Sequence, residues 1–526
     1  MKKILFLILF LPLFSCDDWL NVESEVSVTY RNYFKNEKDL ERILISIFMN
    51  EKLVYANPQV SPFGYGGLQV DKPSTTAAGY QELNPASFLD KSEINWRSHY
   101  KTISLANMLR ENRSRFENIS SERADFWIAQ ADFVKALIYF RLAQDWGEAP
   151  IAPGSEDPTV QAKSPVDSVL AEAIRWAEAA QRVLPTYDHL TDADGRVITS
   201  RQYASLGTVH TLLANIYAWM GGLYGKEEYW RKAEAEASLV IDGKVGTYGL
   251  EDNIASLVKN TFGKERGTKE VIFAIEVNYM DDNWYNSSSL EKRYPGLSMV
   301  HYPYGVTDPK TITSARSLPR ITVDAVKALY EEAADDRRKE FWYKLGETLF
   351  IPREDPDTGE KYEEEYDPTY AYINKWRDET YSKNPNITQS GSLLIAMDGN
   401  RVVWRLADLI LLRAECRAQL GMSEAVGDLN RIRERAGLRK YNGSTEKSRL
   451  LKEIFHERER ELYGEGQRYY DIVRNGYFRE ELKGNYRTLT DEDVKNGALY
   501  LPVYMRNAET KNPLMKQNTY WLWLQK

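Results

Sequence analysis

Hydrophobic residues recur every three or four positions along most of the chain, which is the spacing of one buried face of an α-helix. In the segment from about Glu37 to Asn50, this face carries Leu40, Ile43 and Ile47. The same period predicts further helices beginning near Trp96 and covering about 123–144, 202–220, 226–241, 405–420, 423–435 and 448–463. The pattern therefore predicts a mainly α-helical protein.

One further helix has a clear start signal at Ser164-Pro165-Val166-Asp167. Serine can cap a helix, proline suits the first helical position, and an acid is favourable in the first turn. The apolar positions that follow keep helical spacing, from Val169 and Leu170 to Ala180. We therefore expect a helix that is capped by Ser164 and has Pro165 at its first position.

Two of the predicted helix pairs share a pattern of small residues. The first contains Ala214-x-x-Tyr217-x-x-x-Gly221, and the second contains Ala414-x-x-Arg417-x-x-x-Gly421. Small residues recur where two antiparallel helices would cross closely, and a glycine is expected at each turn. The pattern is similar to tetratricopeptide units of about 34 residues, although long insertions separate the pairs and argue against a regular solenoid.

Between about 242 and 400 the helical period gives way to loops rich in Gly, Asn, Ser, Asp and Pro, with dense tyrosine and a β-like run at Val271–Val277. Residues 51–95 have the same loop-like character. Long irregular stretches in a compact protein are usually functional or mobile. The layout suggests one helical scaffold with long insertions, although the length of 526 residues would by itself suggest three or four domains.

Composition excludes several classes of protein. The formal net charge is −8, without the basic excess that drives nucleic-acid binding. Two cysteines exclude a disulfide framework and a multi-cysteine zinc site. The five histidines contain no pair at metal-ligand spacing, so we expect no metalloenzyme and no cofactor; carboxylate sites for calcium are left open.

The first sixteen residues predict the compartment. Lys2 and Lys3 precede an apolar run, Ile4 to Phe14, that is too short to span a membrane but typical of a signal peptide. The run ends in Ser15-Cys16, which resembles a bacterial lipobox. We therefore expect residues 1–15 to be removed and Cys16 to be lipidated; the alternative is an ordinary secretory signal with a chance cysteine.

A set of motifs in order along the chain resembles the SusD/RagB lipoproteins of Bacteroidetes. They are Cys16-Asp17-Asp18-Trp19-Leu20, Trp96-x-x-x-Tyr100-x-x-Ile103-x-x-Ala106-Asn107, Arg405-Leu406-Ala407-Asp408-Leu409, Leu429-Asn430-x-Ile432-Arg433-x-Arg435-Ala436-Gly437, Glu457-Arg458-Glu459-Arg460-Glu461-Leu462, Glu465-Gly466-x-Arg468-x-x-Asp471 and Asn512-Pro513-x-x-x-Gln517-Asn518-x-Tyr520. The resemblance extends over nearly the whole chain.

The resemblance implies an α/α superhelix of tetratricopeptide-like helix pairs with loop-rich insertions and minor β structure. It implies one SusD-like domain over 16–526, with a helical part to about 245 and a loop-rich and C-terminal part from about 246. Such proteins are not enzymes. They lie on the outer face of the outer membrane, bind oligosaccharides or in some members peptides, and deliver them to a partner TonB-dependent β-barrel transporter (a SusC-like protein).

The charged motif residues have a structural interpretation of their own. Arg433, Arg435, Glu457, Glu461 and Arg468 lie on or beside helices of complementary charge. We expect an ion-pair network that fixes helix packing; the alternative is a solvated charged face. Trp96 and Tyr100 are four residues apart on one helix face and are expected to serve packing rather than ligand contact, and Cys416 is expected to be a buried thiol.

Two loop segments offer the side chains that a sugar site requires. Such a site needs aromatic platforms beside amide, carboxylate or guanidinium groups. The candidate ligand-binding residues are Tyr279, Asp282, Asn283, Trp284, Tyr285, Arg293, Tyr302, Tyr65 and Tyr80. Trp284 and Tyr285 rank first, because a tryptophan in a polar loop is costly unless it packs or binds.

Two alternatives remain open at this stage. A glycoside hydrolase needs two carboxylates at a defined separation in a cleft, which sequence spacing cannot test. A tetratricopeptide adaptor would bind protein segments on concave helix faces rather than through tyrosine-rich loops. The loop aromatics favour a carbohydrate ligand over a peptide.

Overall fold

The computed structural model describes residues 34–55, 62–71, 73–277, 295–297, 319–355, 357–366, 368–382, 393–506 and 512–524. The N-terminal half is built from helices: α1 Glu37–Tyr55, α2 Pro62–Gly66, α3 Thr75–Gln81, α4 Pro85–Phe88, α5 Arg97–Glu111, α6 Ser121–Asp145, α7 Val166–Gln181, α8 Leu206–Tyr224, α9 Glu227–Ile241 and α10 Ile254–Ser256. The segment predicted as loop over 51–95 thus contains three short helices, α2 to α4.

The C-terminal half mixes short strands with helices. Its helices are α11 Val323–Leu329, α12 Asp336–Glu340, α13 Leu406–Gln419, α14 Ala425–Arg435, α15 Lys447–Glu461, α16 Arg468–Arg474, α17 Phe478–Glu481, α18 Asp491–Lys495 and α19 Thr519–Leu524. The strands are β1 Val271–Ile275, β2 Ile321–Thr322, β3 Leu349–Glu354, β4 Lys361–Tyr366, β5 Tyr370–Ala371, β6 Glu379–Ser382, β7 Leu393–Met397 and β8 Arg401–Arg405. The prediction of a mainly α protein with minor β structure is confirmed.

The strands form antiparallel pairs: β1 with β8, β2 with β5, β3 with β4 and β6 with β7. The β1–β8 pair matters most for the fold, because Val271 lies opposite Arg405 and Ile275 opposite Arg401. It therefore joins the end of the N-terminal helical part to the strand that leads directly into α13.

Helix α6 lies at the centre of the N-terminal half. Its Ser120 cap accepts a hydrogen bond from the Arg123 backbone N–H at 3.2 Å. From Ala124 to Phe140 every residue but one is buried, so the helix is surrounded by protein rather than lying at the surface. It packs against α5 on one side and α7 on another.

The start of α7 differs from the prediction. The helix begins at Val166, Pro165 occupies the N-cap position, and no side chain caps the first turn. Ser164 instead forms an antiparallel bridge with Ala149, through its backbone N–H and the Ala149 carbonyl at 3.0 Å. The serine is therefore committed to the preceding strand-like segment and cannot act as the cap.

The predicted helix pairs are confirmed as α8–α9 and α13–α14. The turn glycine of the first pair, however, is Gly225, whose φ of +63° is in the left-handed region that favours glycine. Gly221 lies within α8, where a Cβ would come within 2.6 Å of Trp230 in α9. Gly221 therefore allows α8 and α9 to approach closely and does not form the turn. In the second pair, Gly421, with φ +71°, follows the helix as expected.

One large apolar core combines residues from distant parts of the chain. Phe63 of α2 stacks on Tyr469 of α16 with ring centroids 4.0 Å apart, and Phe88 contacts Trp521 near the C-terminus at 5.2 Å. A second cluster joins α13, α14 and α15. Cys416 is buried in the large core, as predicted. Within the described ranges, no helix has the length and apolar character needed to cross a membrane.

Candidate functional site: a polar cleft beside two loop segments

The structure describes two of the candidate residues. Cys16, Tyr279, Asp282, Asn283, Trp284, Tyr285, Arg293 and Tyr302 lie outside the described residues, and their roles stay predictions. Tyr65 and Tyr80 are only 8% and 2% exposed, and the Tyr80 ring packs on Phe88 with centroids 5.2 Å apart. Neither ring offers a face to a ligand in this structure, because α2, α3 and α4 turn both into the core.

The described residues nevertheless fix both ends of segment 278–294. At its start, Arg266 donates from Nη2 to the Val277 carbonyl at 2.8 Å. At its end, Arg401 donates from Nη1 to the Pro295 carbonyl at 2.9 Å, and the Leu297 N–H donates to the Gly464 carbonyl at 2.9 Å. Leu297 also lines a small cavity together with Gly64 and Leu68. The two predicted binding segments therefore converge on one part of the scaffold.

A buried ion-pair network holds that part of the scaffold in place. Arg405 is fully buried and donates to Glu461 at 2.6 Å, to Glu270 at 2.8 Å and to Glu465 at 2.8 Å. Lys375 donates to the Tyr463 carbonyl at 3.1 Å and also binds Glu465. These bonds fix the backbone turn that contains Gly464. The carbonyl of Gly464 then holds Leu297 through the hydrogen bond described above.

The predicted network residues Arg435, Glu457 and Glu461 belong to the same cluster. Arg435 pairs with Glu270 and Glu461, and Arg337 pairs with Glu457 at 2.8 Å. Arg433 lies within 3.6 Å of Glu457, and Arg468 pairs with Glu459 nearby. The ion-pair prediction is confirmed, and the alternative of a solvated face is wrong because the carboxylates of Glu457 and Glu461 are completely buried. Trp96 and Tyr100 pack against the core, as predicted, and their ring centroids are 5.8 Å apart.

Charge pairing decides the ionisation of this network. Burial by itself raises the pKa of Glu461, but Arg435, Arg405 and Arg337 outweigh it and hold that pKa well below its ordinary value. Burial lowers the pKa of Lys375 to about 8, opposed by Glu465. Glu461 is therefore an ionised structural group.

A cleft of about 570 Å³ opens beside this scaffold, and we call it the polar cleft. It lies between residues 66–71, α11, α15 and residues 481–483, next to the point where the chain is described again after segment 298–318. Its lining includes Gln69, Asp71, Gln81, His456 and Arg468. The described lining residues are polar or aliphatic, and none is Tyr, Trp or Phe.

Two amide side chains in the polar cleft have unused acceptors. Gln81 donates to the Leu68 carbonyl at 2.7 Å, and Gln69 donates to Glu459 at 3.2 Å. The Oε1 atoms of both residues are buried and have no hydrogen-bond partner among the described residues. A buried acceptor without a partner costs about 1–3 kcal/mol, so a ligand hydroxyl that donated to it would recover that cost.

The rest of the wall is rigid and charged. His456 Nδ1 lies 2.7 Å from Glu459, and Arg468 donates to Glu481 at 2.8 Å and to the Gly67 carbonyl at 3.2 Å. On the opposite wall, Asp71 accepts from the Thr322 backbone N–H at 2.7 Å. The sequence identified the neighbouring residues Tyr65 and Tyr80 as candidates but not Gln69 and Gln81. The feature that could have indicated the two glutamines is that they are polar residues next to aromatic positions.

Comparison with known proteins agrees with this architecture. The family model described as "SusD family" matches residues 269–522, and the model described as "Starch-binding associating with outer membrane" matches residues 18–209. Among curated proteins, SusD-like protein P25 of Formosa agariphila is 22% identical over 98% of this chain and 97% of its own length. SusD-like protein P2 of the same organism is 25% identical over 90% of each chain.

Solved structures share the fold. A SusD homolog from Bacteroides thetaiotaomicron superposes with a TM-score of 0.71 at 24% identity, covering 93% of this chain and 99% of that one. A protein described as a laminarin binding SusD-like protein gives a TM-score of 0.67 at 21% identity, covering 92% and 99%. The two family models together match residues 18–209 and 269–522, so the chain belongs to the SusD family.

Proposed function

We propose that the protein binds oligosaccharides in the polar cleft and the adjoining loop 279–304, without catalysing a reaction. The observation that carries the proposal is the pair of unpartnered, buried acceptors of Gln69 and Gln81 in a cleft beside the base of that loop. Sugars present many hydroxyl donors together with apolar ring faces. The cleft supplies the polar partners, and Trp284 and Tyr285 are proposed to supply the aromatic platform.

The family comparisons support a carbohydrate ligand. One matching family model carries the description of starch binding, and one structural neighbour is described as binding laminarin. Both are glucose polymers, so gluco-oligosaccharides are the first ligands to test. A glycan array with the full chain should give a carbohydrate hit, whereas binding of peptides alone would contradict the proposal.

The ionisation of Glu459, one of several acids that line the polar cleft, supports binding rather than hydrolysis. A glycosidase needs an acid whose pKa is raised so that it can protonate the leaving group. Burial raises the pKa of Glu459, but Arg468 and His456 outweigh this and hold it below the ordinary value. Incubation with the bound oligosaccharide should leave its chain length unchanged in chromatography; shortening that is lost on changing a cleft acid would instead support a hydrolase.

We further propose that the protein is anchored by lipid on Cys16 at the outer face of the outer membrane. There it would pass its ligand to a SusC-like, TonB-dependent β-barrel transporter. The association of the family with the outer membrane supports the location. Affinity purification of the tagged protein from native membranes should recover a β-barrel of this class; recovery of soluble partners alone would favour an adaptor role.

A further inference from the structure

A second cavity, of about 860 Å³, lies on another part of the molecule. It is formed by the end of α8, the start of α9, residues 473–478 and residues 491–500, and we call it the helix-pair cavity. Among the described residues, none lines both this cavity and the polar cleft. Its size is in the usual range for sites that hold small organic ligands.

Aromatic side chains at this cavity are fixed by glycines. Gly221 allows Trp230 to lie directly on α8, since a Cβ at that position would approach the indole within 2.6 Å. Gly147, with φ +70°, lies under the Tyr500 ring in the same way, with a Cβ at 2.9 Å from Cε2. Trp230 is only 5% exposed and forms part of the packed wall, whereas the Tyr500 ring is partly exposed and would lose little conformational entropy on binding.

Trp219 adds an unused donor to the same wall. Its side chain is only 3% exposed and packs edge-on against Tyr470, with centroids 6.2 Å apart. Its indole Nε1–H is buried without a hydrogen-bond partner. Indole N–H groups usually find a partner when buried, so a ligand oxygen in the cavity would satisfy a donor that the described chain leaves unpaired.

Two charged groups at the cavity, Arg474 and Asp491, are paired within the protein. Arg474 donates to Glu415 at 2.7 and 2.6 Å and to Asp471 at 2.7 Å. Asp491 accepts from Arg479 at 2.6 Å, and Lys447 donates to the Gln419 carbonyl at 2.8 Å. A partly exposed aromatic face with polar groups around it suits a hydroxyl-rich ligand.

We infer that the helix-pair cavity is a second carbohydrate-binding site, which takes a short oligosaccharide against the partly exposed ring of Tyr500. The ligand class rests on the proposed function, but the site does not share its residues. A second site on the helical scaffold would let one glycan chain be held at two places, which raises its effective concentration at the polar cleft.

Hydrogen–deuterium exchange of the full chain in detergent micelles tests this inference, with maltoheptaose and laminariheptaose as probes at millimolar concentration. At least one probe should slow amide exchange in peptides covering 219–230 and 473–478. Leu223 lines the cavity mouth and is 40% exposed, so Leu223→Trp should block the cavity without disturbing the core and abolish this protection. Leu239→Trp, at a 36% exposed position of α9 outside the cavity lining, is the matched control and should retain it.

The outcomes separate this inference from the proposed function. Protection at the cavity that survives Trp284→Ala supports a second site. Slower amide exchange at the cavity, without slower exchange in residues 279–304, would support the inference. The same result would contradict the proposed binding site in loop 279–304. Absence of cavity protection with both probes, or protection unaffected by Leu223→Trp, overturns the inference.

Discussion

At the scale of single residues, the molecule depends on buried charges that are fully paired. The Arg405 guanidinium is completely buried, and each of its three nitrogens donates to Glu270, Glu461 or Glu465. Removing one partner of such a cluster leaves ionised carboxylates in a medium that solvates them poorly. The cluster therefore stabilises the fold as a unit, and the loss of one member should cost far more than a surface ion pair.

Arg405→Met should reduce the free energy of unfolding by roughly 3–5 kcal/mol, measured by urea denaturation. The matched control is Arg231→Met, which removes an exposed pair with Glu227 on α9 and should cost less than about 1 kcal/mol. Similar losses in the two variants would show that the buried network does not carry the stability assigned to it.

Glu51 is a buried acid whose pKa is raised, in contrast to the lowered pKa of Glu461. It is 0% exposed, and a hydrogen bond of 2.8 Å from Gln202 is not enough to offset its desolvation, so burial raises its pKa to about 8. Between the unfolded pKa near 4.5 and the folded value near 8, the native state binds more protons than the unfolded state. The stability that this group contributes is therefore fully present below about pH 4.5 and is lost as the pH rises towards 8.

Glu51→Gln should remove this dependence. Relative to wild type, the variant should become more stable as the pH rises from 5 to 8, by at most about 1.4 kcal/mol per pH unit. Denaturation curves collected across that range measure the difference directly. Wild-type and variant stabilities that stay parallel with pH would contradict the assignment of a neutral, buried Glu51.

At the scale of elements, close packing of helix pairs depends on individual glycines. Gly221 and Gly427 both lie inside helices, α8 and α14. A Cβ at Gly221 would collide with Trp230, whereas a Cβ at Gly427 would have no atom from outside its own helix turn within 4 Å. Alanine has the higher helix propensity, so steric space decides the sign of each substitution.

Gly221→Ala should therefore destabilise the protein by about 1–3 kcal/mol through overpacking. Gly427→Ala should instead stabilise it by about 0.5–1 kcal/mol through helix propensity. Thermal and urea unfolding of the two variants provide the comparison. A stabilising effect at Gly221 would mean that α8 and α9 do not approach as closely as the structure has them.

Element prediction succeeded where local periodicity carried the information. The helix pairs α8–α9 and α13–α14 follow from apolar spacing, because each presents one buried face. The starting point of α7 was wrong because Ser164 bridges to Ala149, a contact that local sequence does not encode. The sequence also did not predict that the rings of Tyr65 and Tyr80 are buried in the core. The helices α2 and α3 are too short for periodicity to reveal which face is buried.

At the scale of the whole molecule, the sequence predicted the fold class and the charged motif network, since both appear as ordered motifs along the chain. It did not predict Glu270, Arg337 and Lys375 as members of the same network. These residues come from non-helical or short segments far apart in sequence. Gln69 and Gln81 were not predicted either, because a hydrogen-bond acceptor without a partner can be recognised only in the folded structure.

Anchoring is a property of the whole molecule that one substitution can test. Cys16→Ser should release the protein from the membrane fraction, because the proposed lipid chains provide its attachment. Fractionation followed by immunoblotting measures the distribution, and an Asp18→Asn variant that keeps the cysteine serves as the control for membrane retention. Membrane retention of the Cys16→Ser protein at the wild-type level would contradict lipid anchoring.

The central claim is that an oligosaccharide binds where the polar cleft meets loop 279–304. Calorimetric titration of the full chain with the best oligosaccharide from the array tests this, comparing wild type with Trp284→Ala, Gln69→Ala and the control Gln144→Ala, which lies outside the cleft lining. We predict that Trp284→Ala and Gln69→Ala each weaken binding by about tenfold, corresponding to roughly 1.4 kcal/mol, while Gln144→Ala binds like wild type. Unchanged affinity in both cleft and loop variants would contradict the account.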